Sequence, residues 1–209
     1  MCKEPLSRLI AGLVAAALLA YGCFPNQADG GRDFPYGEMS VGDLAFRCGR
    51  GMFSHVVTIS EDRGLYSHVG VIVNDGGVWK VAHAVPDEKE FKGDFDRVKL
   101  EDLDVYFSGR RARRGCLVHT GLTDSSLLGS LGQAAIKAFR DSVEFDNDYN
   151  LVDSCKVYCT EFVWRLFRDK GLDLSEGRRL NAHIMHIDGE VLLPEHLLDY
   201  SGNKVYYSF

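Results

Sequence analysis

Ser67-His68-Val69-Gly70-Val71-Ile72-Val73-Asn74-Asp75-Gly76-Gly77-Val78-Trp79-Lys80-Val81-Ala82-His83-Ala84-Val85 is the stretch that decides the fold. Two β-rich runs, 67–73 and 78–85, flank Asn74 to Gly77, residues that favour the positive φ angles of a tight hairpin turn. A turn centred symmetrically on 74–77 sets Val73 against Val78, Ile72 against Trp79 and His68 against His83. Both histidines then share one sheet face, and directly opposed residues have Cβ atoms about 4.5 to 5.5 Å apart. Gly70, Ile72, Trp79 and Val81 share that face, and a glycine beside His68 leaves room for another group to approach.

Upstream of the hairpin, Val41 to Phe46 reads as a strand, and Met52, Phe53, Val56 and Val57 recur at the spacing of a short helix. Downstream, 91–104 is charged and is expected to loop over the surface, and Gly115 to His119 reads as a strand. Leu127, Leu131, Ala135, Ala138 and Phe139 form one apolar face of a helix over 124–142. Phe162, Val163, Leu166 and Phe167 mark another helix, which ends before Gly171, a natural C-cap. Short closing strands are expected at 191–193 and 204–207. No internal repeat is present, and 209 residues suit one domain of class α+β.

The N-terminus has the order of a secretory signal: Lys3 and Arg8, an apolar run from Leu9 to Ala20, then Gly22 and Cys23. The run is shorter than the roughly 20 apolar residues of a membrane span. Leu19 to Cys23 also resembles a bacterial lipobox, with Cys23 as the lipidated residue. These features predict a signal peptide over 1–22, a flexible tether over 23–35 and a folded domain over 36–209. The mature protein is expected in the bacterial cell envelope, touching the membrane through a lipid anchor. A net charge of -6 argues against nucleic acid as a partner.

A cysteine hydrolase needs a thiol, a base within hydrogen-bond reach and a third group that fixes the base. Cys159 stands at the start of the 162–167 helix, where unpaired N–H groups and the helix dipole lower a thiol pKa and can hold an oxyanion. His68 and His83 supply a base and its orienting partner. Taken singly, Cys159 reads as a small core residue and His68 as a satisfied core histidine. Cys155 sits four residues earlier, a poor disulfide spacing on one helix, and is read as structural. His183 and His186 form an H-x-x-H pair without the glutamate or further ligands of a zinc hydrolase, so no metal is expected. Arg110, Arg111, Arg113 and Arg114 read as a solvated basic loop.

Tyr66-Ser67-His68-Val69-Gly70-Val71-Ile72, followed by Tyr158-Cys159-Thr160-Glu161-Phe162-Val163-Trp164, resembles the YiiX/YebB-like branch of the NlpC-type papain-like cysteine hydrolases. Gly42-Asp43-Leu44, Phe145-Asp146 and Leu193-Pro194 extend the resemblance from Val41 to the C-terminus. It implies a circularly permuted papain-like fold in which histidine precedes cysteine, with an antiparallel sheet or partial barrel packed against helices. It also implies Cys159 as nucleophile, His68 as general base and a third polar residue on the next strand. That residue is His83 here, where many relatives carry glutamate. Tyr158 and Tyr149 are oxyanion candidates, and Ser67, Gly70 and Thr160 are candidates for the substrate pocket.

The implied reaction is cleavage of an amide bond in a small or peptide-like substrate, such as one derived from peptidoglycan, through a thioester and without a cofactor. Two alternatives stand beside it. Hydrolysis or transfer of a lipid acyl group would be favoured by an apolar groove. A non-catalytic envelope-binding domain is favoured by the lack of a carboxylate at the third position.

Overall fold

In the computed structural model, residues 31–50, 57, 63–152, 155–184 and 187–209 are described. The leader, Cys23, most of the tether, the helix expected around 52–57 apart from Val57, and His186 lie outside them.

Eight strands form one curled sheet of half-barrel shape. In chain order they are β1 (Leu44–Cys48), β2 (His68–Asp75), β3 (Val78–Val85), β4 (Arg97–Asp102), β5 (Arg114–His119), β6 (Glu144–Phe145), β7 (Lys156–Val157) and β10 (Lys204–Ser208). Their order across the sheet is β10-β5-β1-β2-β3-β4-β6-β7. All the pairings are antiparallel except β6 with β7. A separate hairpin joins β8 (Leu180–Ile184) to β9 (Ile187–Val191). The helices are α1 (Leu103–Tyr106), α2 (Ser125–Arg140), α3 (Cys159–Arg168) and α4 (Pro194–Leu198). The class is α+β.

The β2–β3 hairpin differs in register from the symmetric four-residue turn. Its turn is Gly76-Gly77 alone, with φ of 63° and 92°, and Asn74 and Asp75 stay in β2. Two consecutive positive φ angles suit the right-handed twist of a two-residue hairpin loop, and glycine adopts them without a Cβ clash. Asn74 Oδ1 accepts the Gly77 N–H at 2.8 Å. The pairs are therefore Val73 with Lys80 and Ile72 with Val81. Continuing this register sets Gly70, not His68, opposite His83. A shift of two residues preserves the alternation of faces. His68 and His83 thus stay on one face as diagonal neighbours.

The second departure is β4. Where a surface loop was expected over 91–104, Arg97 to Asp102 pairs with β3 along its whole length. Val98 is buried against the helices, while Arg97, Lys99 and Glu101 are buried on the opposite side. The alternation is present in the sequence, but ions occupy the positions that an ordinary strand gives to apolar residues.

Two cores follow from the alternation of faces. On one side Leu44, Phe46, Val69, Val71, Ala82 and Val98 pack with Leu131, Ala135, Phe162 and Phe167 of α2 and α3. On the other, Ala45, Ile72, Val81 and Leu117 pack with Phe34, Leu103, Tyr106 and Phe107. Asp124 caps α2 by accepting the N–H groups of Ser126 and Leu127. In the basic stretch 110–114, Arg110, Arg113 and Arg114 are exposed as expected, but Arg111 is half-buried and all but Arg110 are engaged. Arg111 pairs with Glu101 and Glu88, Arg113 reaches Gly49 O at 3.3 Å, and Arg114 bonds the carbonyls of Leu65 and Gly64 at 2.6 Å each.

Candidate active site

β2 begins at His68, so its imidazole stands at a strand end, on the face away from α2 and α3. His83 follows from β3 on the same face. His68 Nε2 lies 2.8 Å from His83 Nδ1, and the rings meet edge to face with centroids 5.0 Å apart. His83 Nε2 in turn lies 3.2 Å from Glu101 Oε2 on β4. Tyr106 of α1 packs against both imidazoles, at 5.8 and 4.9 Å between centroids, and its hydroxyl donates to Ala45 O. All these side chains are buried. Glu101 was hidden in the sequence inside the presumed surface loop; the alternation of Val98 and Leu100 with charged residues was the available signal.

Gly70 explains how the two histidines fit. A Cβ there would lie 2.5 Å from Val81 Cγ1 and 3.0 Å from both the Ala82 carbonyl oxygen and His83 Cβ. The glycine sits beneath His83 and does not line the pocket. Gly70→Ala is expected to push His83 off its line and to cost about 1–3 kcal/mol by overpacking. A lowered urea midpoint with an unchanged m-value would record it.

Cys159 is the first residue of α3, which lies against the opposite face. Its Sγ accepts the Val69 N–H and lies 3.6 Å from Thr160 Oγ1. The sulfur is thus held at the end of β2, by the residue next to His68. Glu161 accepts the Tyr158 N–H at 3.3 Å and pairs with Arg165 at 2.7 Å, which fixes the first turn of α3.

The electrostatics differ from those expected of a helix N-terminus. Burial pushes the Cys159 thiol above its ordinary pKa, although the Thr160 hydroxyl, the Val69 N–H and the Arg47 charge oppose it. Burial also drives His68 well below its ordinary value, and the positive charge of Arg47 adds to the effect. The resting state is a neutral thiol and a neutral imidazole. Desolvation of the sulfur outweighs the N–H groups that face it from Val69 and from the start of α3.

The two tyrosines are placed by local structure. Asp146 is buried and accepts the N–H groups of Asp148 and Asn150, at 2.9 and 2.6 Å. The tight turn this makes carries Tyr149 at a φ of 54°, with its ring 5.1 Å from that of Tyr158. Tyr158 Oη accepts the Leu192 N–H at 2.8 Å and so ties α3 to the segment ahead of α4. Both phenols lie close enough to Cys159 for a thiolate charge to raise their pKa values, though burial is the larger cause.

A small apolar pocket, about 50 Å³ in volume, opens beside Cys159. Tyr149, Tyr158 and Thr160 line its base with Ser67, and Leu180, Ala182, Ile187 and Val191 of the β8–β9 hairpin form a wall. Ser67 Oγ accepts the Gly49 N–H at 2.8 Å. Cys155 is exposed, Cys48 and Cys116 are buried, and none of the three is in a disulfide. His183 sits exposed on β8 with Nδ1 2.6 Å from Asp188 Oδ1.

No family model and no curated protein matches this chain. Among solved structures it is similar to the crystal structure of metalloprotein YiiX from Escherichia coli O157:H7. The identity is 17%, with a TM-score of 0.67 over 81% of this chain and 97% of that one. That protein is described as a metalloprotein; among the described residues here, no group of three or more His, Cys, Asp or Glu side chains is arranged to hold a metal ion. What the two proteins share is the fold, and this chain has the fold of YiiX.

Proposed function

We propose that this protein is a cysteine hydrolase of permuted papain-like type, in which Cys159 attacks the carbonyl of an acyl substrate and His68 serves as base. One observation carries the reading: the Cys159 sulfur is held by the Val69 N–H, next to His68 at the strand end, and lines an apolar pocket. The thiol proton passes to His68 as the S–C bond forms, and the imidazolium then gives it to the leaving amine or alcohol. Water attacks the resulting thioester, frees the acid and restores the thiol. The N–H groups at the start of α3, with Tyr149 or Tyr158, are suited to hold the oxyanion. The leader and Cys23 would keep the enzyme in the cell envelope.

An amide of a small peptide-like substrate remains one substrate class. The pocket favours the other reading, a substrate with an apolar acyl group, because its wall offers side chains of Leu180, Ala182, Ile187 and Val191 and few polar partners. Burying each extra methylene contributes about 0.8 kcal/mol, or roughly fourfold in binding. The test is hydrolysis of nitrophenyl esters and nitroanilides whose acyl chains lengthen stepwise. Expected is a rise in kcat/KM of about this size per methylene until the pocket is full. Ala182→Trp, which fills the wall, is expected to abolish the rise while sparing the acetyl compound. Preference for short peptide amides, with no chain-length dependence, would return the substrate to the peptide class; absence of turnover on all of them would leave a binding module.

A further inference from the structure

The base has two ring nitrogens, and the reaction above needs a lone pair on the one that takes the thiol proton; His83 engages Nε2, so that nitrogen is Nδ1. We propose that Glu101, clamped by Arg111, is a positioning residue that acts through His83 to keep the proton of His68 on Nε2 and its lone pair on Nδ1. The catalytic line is then Cys159, His68, His83 and Glu101, with the carboxylate one imidazole further out than in a three-membered arrangement.

Each proton along the line is fixed by its neighbour. Burial opposes the charge of Glu101, but His83 and Arg111 outweigh it and hold the carboxyl down to about 2. An ionised carboxylate only accepts, so His83 Nε2 must carry the proton that meets Glu101 Oε2 at 3.2 Å. Burial keeps His83 below its ordinary pKa, so it is neutral at pH 7 and its Nδ1 is an acceptor. His68 Nε2, 2.8 Å away, must therefore donate. His68 is neutral too, which leaves Nδ1 unprotonated.

The same line stabilises the imidazolium that forms when the thiol proton reaches Nδ1. His68 then keeps its Nε2 proton on His83, and the negative charge of Glu101 lies behind it. Other charges face the line. Arg47 of β1 opposes protonation of both histidines, and Arg111 opposes that of His68. Glu88, before β4, pairs with both Arg47 and Arg111. Lys99 is engaged by Asp94 at 2.7 Å and leaves Glu101 to Arg111 and His83.

The role rests on the acyl-hydrolase reading, but the tautomers do not, so the two fail separately. Long-range proton–nitrogen spectra of the uniformly labelled protein, assigned with His68→Gln and His83→Gln, report the protonated nitrogen of each ring. Both rings are expected as Nε2–H tautomers at pH 7. Glu101→Gln removes the charge and lets the side chain present an N–H to His83. It is expected to mix the tautomers and to lower kcat by about tenfold to a hundredfold, less than the roughly 10⁴ seen for a carboxylate in direct contact with the base. KM is expected to stay within about twofold. His68 found with its proton on Nδ1 in the wild type would overturn the proposal, whether or not the variant folds. So would a Glu101→Gln protein with unaltered tautomers and kcat. Turnover that survives Cys159→Ala would overturn the hydrolase reading and leave the tautomers standing.

Discussion

Cys159→Ala is expected to lower acyl-ester and anilide turnover at least about a thousandfold, because the thioester route is lost and only binding and oxyanion contacts remain. Thermal stability should move little, since a sulfur is replaced by hydrogen at a small buried side chain. The pH dependence is specific to this site. His68 has its pKa well below the ordinary value, so the base stays neutral as pH falls from 7 through 6, and kcat/KM should be flat there. The thiol is raised, so no preformed thiolate exists at neutral pH, and proton transfer accompanies attack. Iodoacetamide should therefore label Cys159 at pH 7 more slowly than it labels a cysteine in an unfolded peptide, with the rate climbing as pH passes 9. Peptide mapping separates this from the exposed Cys155. Wild-type turnover in the Cys159→Ala protein would remove the nucleophile from the mechanism, and fast labelling at pH 6 would show a thiolate that burial should forbid.

What the sequence disclosed and what it hid have a common physical origin. The hairpin was legible because Asn74 to Gly77 has turn chemistry and its flanks have β-branched residues. Its register was misjudged by two because four residues with turn propensity do not say which two of them turn; the glycines did. Parity survived, so the two histidines were expected on one face and are found there, in contact across a diagonal. The helix that starts at Cys159 was visible from its apolar spacing. The acidic member was not, since Glu101 lies in a strand whose inward side is Arg97, Lys99 and Glu101. Such residues are almost never fully buried unless paired, and the pairs come from Asp94, His83 and Arg111, none predictable from local pattern. Arg111 was misread for the same reason. The absence of a carboxylate had favoured a binding domain; its presence behind His83 weakens that reading.

Arg47→Met is expected to produce the largest loss of stability among single substitutions in this region, about 3–5 kcal/mol. The guanidinium is 2% exposed. It donates to Tyr106 O at 2.8 Å, pairs with Glu88, and lies 4.4 Å from the centroid of the Tyr106 ring. Methionine fills much of its volume but leaves the Tyr106 carbonyl and a half-buried Glu88 carboxylate short of a partner, and an uncompensated buried charge costs more than the pair was worth. Arg111 Nη1 remains 3.2 Å from Glu88 Oε2 and offsets part of the loss. Adding Glu88→Gln should recover a further part, because the two residues share one interaction and their effects will not add. Urea denaturation of the two single variants and the double variant measures both quantities. The electrostatic consequence has a definite sign. Arg47 lowers the basicity of His68 and lowers the pKa of Cys159. Without it, His68 will hold a proton at higher pH and the thiol will release one less readily. The acid limb of kcat/KM should move upward, towards the ordinary histidine range, while alkylation of Cys159 slows. An acid limb that stays in place in a folded Arg47→Met protein would mean that burial alone sets the basicity of His68, and that the guanidinium serves the fold and not the base.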